Sequence, residues 1–268
     1  MIEENKHTFE EEFDIKNLYN ILFEKRKIIL SIAILSAIFS VYFALSLPNI
    51  YSSKSILAPT SSEENLSPSS SSASFSAFRL PGVNIPGESH KYIEAIERIE
   101  SLDFFSNHFL PFIKLENLMA AKKWIREDNT LTYYKNLFDV DSKKWVRKVS
   151  YPKKIIPSSQ EAFKAYKGIL DVRIDDKTQF ISLSIDHISP VIAKKWVELI
   201  IKNINESMRE IDKKQAQNSI NFLNESLEST KIQTIKEVIS NLQENQMKTL
   251  MLASSNESYV FKIIDSPV

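Results

Sequence analysis

The sequence predicts an α+β protein: a membrane-anchored domain with a small mixed α/β base and a long protruding C-terminal helix. Three observations predict it. Residues 28–47 form an uncharged apolar run of 20 residues. Short alternating segments that read as strands follow that run, recur in the middle of the chain and close it. Residues 191–266 contain neither glycine nor proline, and most of that stretch keeps a helical apolar spacing.

The apolar run reads as a retained anchor. A helix of that length spans roughly 30 Å, about the hydrocarbon thickness of a bilayer. Only Ser31, Ser36, Ser40, Ser46 and Tyr42 interrupt it, and it has no polar face for a soluble helix to show. A cleaved leader has a shorter apolar region and a basic start. Here the 27 residues ahead are acidic overall, although Ala44-Leu45-Ser46 imitates a cleavage site. Lys25, Arg26 and Lys27 abut the run, and only Lys54 follows it closely. This places the N-terminus in the cytoplasm and residues 48–268 across the membrane.

Composition narrows the function classes. The chain holds 34 basic and 34 acidic residues, a balance that argues against a nucleic-acid partner. It has no cysteine, hence no disulfide or thiolate site. It has three glycines (Gly82, Gly87 and Gly168) and neither of the glycine-rich phosphate-binding motifs, so a nucleotide-binding enzyme is not expected.

Residues 1–27 form a cytoplasmic segment in which Ile15, Leu18, Tyr19 and Leu22 mark a surface helix. Beyond Pro48, "NIYSSKSILAP" alternates and reads as a strand closed by Pro59. A serine-rich segment, nine serines in residues 61–76, is expected to be a flexible loop, followed by the punctuated "RLPGVNIPG". Helices are expected around Ile93, Ile96 and Ile99, then around Leu102, Phe105 and Phe109, with Ser101 opening the second. Residues 115–127 also read as helical, with Leu118 and Trp124 inward. Ser158 and Glu161 make a capping box for a short helix ending near Gly168. "GILDVRIDDKTQFISLSIDH" reads as a hairpin turning at Asp175-Asp176-Lys177, with Phe180, Leu183 and Ile185 on the return strand.

Ser189-Pro190 starts the long helix, expected over residues 190–252, roughly 93 Å. A compact body of this size has a radius of gyration of about 17 Å, so such a helix must project, bend or pack against other chains. Its stripe wanders. Val197, Ile201, Ile204, Met208 and Ile211 keep one phase, Ala216, Ile220, Leu223 and Leu227 a second, and Ile232, Ile235, Ile239 and Leu242 a third. A two-stranded coiled coil needs one unbroken seam, so packing against several subunits explains the slips better. Ile201, Ile204, Met208, Ile220, Leu223 and Leu227 are therefore the oligomer-interface candidates. The closing "NESYVFKIIDSPV" reads as a return strand over residues 258–265.

No catalytic residue, cofactor or metal is expected. His7, His90, His108 and His187 are scattered without ligand spacing. Asp175 and Asp176 suit turn chemistry, and Ser69 to Ser72 have no paired base. The basic-aromatic "KKWVRKVSYPKK" reads as a solvated face with some buried aromatics, and contact with acidic glycans or lipid phosphates is the alternative.

The order of these pieces resembles the polysaccharide co-polymerase or chain-length determinant (Wzz-type) family, from about Phe13 to the end. Pro48, Tyr51 and Pro59 beyond the apolar run carry the resemblance, followed by Ser182, Asp186, Pro190, Ala193 and Trp196. Tyr259-Val260-Phe261, Ile264-Asp265 and Pro267 complete it. It implies a bacterial inner-membrane protein whose bulk is periplasmic and whose copies assemble as a homo-oligomeric ring. In that family the ring is a non-enzymatic scaffold for an integral-membrane polysaccharide polymerase. It sets the number of repeats added to a lipid-linked glycan such as the O-antigen of lipopolysaccharide. The family carries a second membrane helix after a proline-containing stretch. This chain stops at Val268, so it is either truncated or a one-anchor variant. The alternative function is a membrane-anchored periplasmic adaptor of a polysaccharide or efflux exporter.

Overall fold

The computed structural model describes residues 23–60, 91–255 and 258–268. The surface helix over Ile15 to Leu22, the serine-rich loop and "RLPGVNIPG" lie outside the described residues. The chain divides into two compact units, Met1–Pro48 and Asn49–Val268.

In the first unit, helix α1 covers Arg26–Ser46. Its large apolar side chains, Leu35, Phe39 and Leu45 among them, are exposed along the whole length. Ser31 Oγ donates to Lys27 O at 2.8 Å and Ser36 Oγ to Ala33 O at 2.9 Å, so these hydroxyls need no water. Arg26 stacks over the Phe23 ring, 4.7 Å from its centroid.

The second unit is built on a four-stranded antiparallel sheet. Its strands are β1 (Tyr51–Pro59), β6 (Leu170–Ile174), β7 (Ile181–His187) and β8 (Phe261–Asp265), in the order β6-β7-β1-β8. The strand after the apolar run is thus central, flanked by the hairpin and by the end of the chain. Tyr51 pairs with His187, Leu57 with Ile181 and Pro59 with Phe261. Alternation sends Ser53, Ser55 and Leu57 inward from β1. On β7 the inward set is Ile181, Leu183, Ile185 and His187. The return strand therefore begins at Ile181, and Phe180, expected on it, sits exposed in the turn. There Asp175 Oδ1 accepts from Lys177 N at 3.0 Å and Thr178 N at 2.8 Å, and those donors hold its carboxyl below the usual range.

Helix α2 is Lys91–Ile99, burying Ala95 and Ile99 while Ile93 points to solvent. Ser101 caps the short α3 (Leu102–Phe104), accepting from Phe104 N at 3.1 Å. A π turn, Phe105–Phe109, follows and drives both phenylalanines into the core. Each lies 5.0 Å from the ring of Tyr166, on helix α5 (Ser159–Ile169). Tyr166 OH donates to Ile99 O at 3.0 Å, and burial pushes that phenol above its ordinary pKa. The capping box at Ser158 and Glu161 forms as read.

Residues 115–127 depart from the helical expectation. Only α4 (Leu115–Met119) is helical, and Ala121–Ile125 is strand β2, paired with β3 (Thr130–Tyr133). Lys122 and Lys123 are exposed while Trp124 is half-buried, its Nε1 donating to Asn129 Oδ1 at 2.9 Å. A small ladder follows: β4 (Phe138–Asp139) pairs with β5 (Lys144–Trp145).

The single long rod is also corrected. Helix α6 runs Pro190–Ser229, 40 residues and about 60 Å, opened by Ser189 as expected. Thr230 then turns extended (φ −89°, ψ 128°), and α7, Gln233–Ser255, packs back along α6. The reversal falls at the second phase slip of the apolar stripe, between Leu227 and Ile232. Each half of the stripe covers the other, burying Ala216 and Ile220 from α6 with Ile239 and Ala253 from α7. Serines loosen the end of α6 without glycine or proline: Ser226 Oγ donates to Phe222 O at 2.9 Å and Ser229 Oγ to Ser226 O at 3.1 Å.

Candidate assembly and anchoring surfaces

Three side-chain ties hold the base together. The first centres on His187, the last residue of β7 and directly opposite Tyr51. Ser189 N donates to its Nδ1 at 3.0 Å, so Nε2 carries the proton and donates to Asn117 O at 3.0 Å. Its ring packs edge-on against Trp196 at 4.8 Å. Burial holds the His187 pKa below the ordinary histidine value, against the raising pull of the Asn117 and Ser189 carbonyls.

A lowered folded pKa means that the unfolded chain takes up a proton first as pH falls. Stability is then constant above about pH 6.5 and declines through the region below it, before the carboxylates titrate. Urea unfolding of the full chain in detergent, followed by tryptophan fluorescence, is expected to show a midpoint that drops from pH 7.5 to about pH 5. His187→Gln is expected to flatten that slope, and an unchanged slope refutes the assignment.

The second tie is Asn205 on α6. Its Oδ1 accepts from Val260 N at 2.7 Å and Phe261 N at 2.9 Å, and its Nδ2 donates to Phe261 O at 3.1 Å. One buried amide thereby sets where the return strand begins. Nearby, Lys91 Nζ reaches Asp212 Oδ2 at 2.9 Å and Tyr259 OH donates to the same oxygen at 2.6 Å, joining α2, α6 and the approach to β8.

The third tie is Arg147. It pairs with Glu161 at 2.8 Å, and it also donates to Ile155 O at 2.7 Å and Lys154 O at 2.6 Å. The guanidinium, with Ser158 N behind it, holds the Glu161 carboxyl down at about 2. The sequence predicts a solvated face at Arg147. It is a clip, visible only once residues 14 apart come together.

The motif residues divide by role. Pro190 occupies the first turn of α6, and Trp196, 5% exposed, fills the core between His187 and Phe109. Pro59 and Asp265 lie on the β1–β8 ladder, where Ser55 Oγ donates to Asp265 O at 2.6 Å. Pro267 is buried just beyond it, and Pro48 is exposed at the end of the first unit. Tyr51 packs edge-on against Trp124 at 5.7 Å. Apart from Pro48, these positions pack or pair within the second unit.

The interface candidates also divide. Ile201, Ile204 and Met208 are buried within the chain's own core, against the sheet and the π turn, and are corrected to core positions. Ile220 is covered by α7, while Leu223 and Leu227 are half-buried. The apolar surface left open on the hairpin is a different set: Phe222 (67% exposed), Ile232, Ile235, Val238, Met247 and Met251. Phe222 and Leu223 line a shallow cleft of about 410 Å³ with Leu242 and Gln246. A polar cleft of about 600 Å³ beside the π turn is lined by Arg98, Asp103, His108, Asn203, Ser207 and Lys214. Among the described residues no cluster of histidine and carboxylate side chains could hold a metal ion.

An antiparallel sheet carrying a long helical hairpin, in a chain whose α1 is long and apolar enough to cross a membrane, defines the class. Residues 11–107 match the family model described as Wzz, chain length determinant protein, so the resemblance read from the sequence holds over that segment. Among solved structures the chain aligns with a fragment of WzzB, the polysaccharide co-polymerase from Salmonella Typhimurium. The identity is 15%, the TM-score 0.32, and the alignment covers 82% of this chain and 96% of that one. A search of curated proteins returned no match.

Proposed function

We propose that this protein is a non-enzymatic regulator of surface polysaccharide chain length, anchored by α1 in a bacterial inner membrane with its N-terminus in the cytoplasm. The observation that carries the reading is the chain length determinant match over residues 11–107, which takes in α1, β1, α2 and the start of the π turn. Copies of the chain assemble as a ring through the helical hairpins, whose open apolar residues need cover. The ring acts as a scaffold for an integral-membrane polymerase that extends a lipid-linked glycan.

Deleting the gene is expected to replace a clustered distribution of glycan lengths by an unclustered one while glycan still reaches the surface. Abolished export indicates an exporter adaptor and overturns the reading. Phe222→Glu and Met251→Glu, each at an exposed hairpin position, are expected to shift the modal length on a gel of extracted glycan and leave the protein in the membrane fraction. An unchanged ladder from both refutes assembly through this surface.

A further inference from the structure

We propose that the segment from Lys143 to Ile156 is a docking surface for the anionic headgroups of the bilayer. The inference rests on the membrane-anchored reading above. The segment carries Lys143, Lys144, Lys148, Lys153 and Lys154, with Arg147 besides, and no acidic residue. Arg147 is paired with Glu161, and the five lysines are all exposed. Among them stand apolar groups with nothing over them: Tyr151 is 97% exposed, Ile156 64% and Ile155 56%. Aromatic and aliphatic side chains interleaved with lysine are what the headgroup region of an anionic bilayer accepts, rings and aliphatics at the boundary and ammonium groups on phosphate.

This display is held in place. Arg147 bonds the carbonyls of Lys154 and Ile155, Lys153 N closes a turn onto Ser150 O at 3.1 Å, and Trp145 packs on Phe138 at 5.5 Å. Ordering entropy is therefore already spent before any partner arrives.

A chain of contacts also joins the segment to one end of the sheet. His187, opposite Tyr51, bonds Asn117 O, and Asn117 Oδ1 accepts from Tyr133 OH at 2.7 Å. The Tyr133 ring packs tilted against Phe138 at 5.5 Å, and Phe138 edge-on against Trp145. That relay ends at the hairpin bearing Lys143 and Lys144. Tyr51, where it begins, follows Leu47 by four residues in the sequence. The turn at Asp176 marks the opposite end of the sheet, beyond the Leu57–Ile181 pair.

The chain has no cysteine, so one introduced thiol can be labelled uniquely. Ser150→Cys and, as a control, Asp176→Cys are labelled with a fluorophore in the full-length protein. Each is reconstituted in nanodiscs of phosphatidylcholine, with or without phosphatidylglycerol, carrying a spin-labelled headgroup that quenches on contact. The label at 150 is expected to be quenched in the anionic discs and released in high salt, where screening shortens to roughly 3 Å at 1 M. The label at 176 stays bright throughout. Adding Lys148→Gln, Lys153→Gln and Lys154→Gln is expected to lower the contact equilibrium about a hundredfold, at roughly fivefold per lysine. Equal brightness at 150 and 176 in discs that retain the protein overturns the inference and leaves the anchor standing. Failure to enter the discs at all overturns both. Retention on dextran sulfate without quenching by the lipid overturns it in favour of an acidic glycan.

Discussion

Asn205→Leu is expected to destabilise the protein by about 4 kcal/mol and to release the return strand before the rest of the sheet. The side chain is nearly isosteric, so packing on α6 is kept and the loss is polar. Two buried N–H groups, of Val260 and Phe261, lose their acceptor, and the carbonyl of Phe261 loses a donor. Each orphaned buried group costs about 1–3 kcal/mol. Nothing nearby replaces them, because Phe261 is fully buried and Val260 nearly so. Strand β8 is the edge of the sheet, and its register on β1 already shifts between Ile56 and Leu57. Once β8 detaches, β1 presents an open edge ready to pair with another chain. Hydrogen exchange is expected to accelerate at Val260 and Phe261 well beyond β6 and β7. A Leu variant that unfolds within about 0.5 kcal/mol of the parent, the range of ordinary surface changes, sinks the idea that this amide holds the strand.

The role of Asn205 is not legible in the sequence. It sits in "IKNINESMRE", one polar residue among several on a helix, and its partners are 55 and 56 residues away. Features written in neighbouring residues were legible: the serine-proline start of α6, the capping box at Ser158, the Asp175 turn and the alternation of β1. The π turn at Phe105–Phe109 and the clip at Arg147 were not, since tertiary packing decides both. Strands β2 to β5 are two to five residues long, too short for their alternation to outweigh a helical spacing. The long helix shows a third kind of outcome. The sequence predicts packing against several subunits at its phase slips, whereas the neighbours are the sheet, the π turn and α7 of the same chain.

That reassignment makes opposite expectations for two residues on the same helix. Ile204 is fully buried and Phe222 is largely exposed. Ile204→Ala removes atoms packed in the core cluster, where surroundings relax only in part, and is expected to cost about 2–5 kcal/mol. Much of a typical domain's stability is of that size, so the variant is expected at reduced level in the membrane fraction. Phe222→Ala removes a larger side chain from water and leaves no cavity, so its unfolding midpoint in detergent is expected to match the parent within about 0.5 kcal/mol. If the hairpin is the assembly surface, the same substitution alters the glycan length distribution at normal protein level. The two variants therefore separate a fold effect from an interface effect on one helix. Should Ile204→Ala prove harmless to unfolding while Phe222→Ala proves costly, α6 buries the opposite face to the one described, and the hairpin packing of α6 on α7 falls with it.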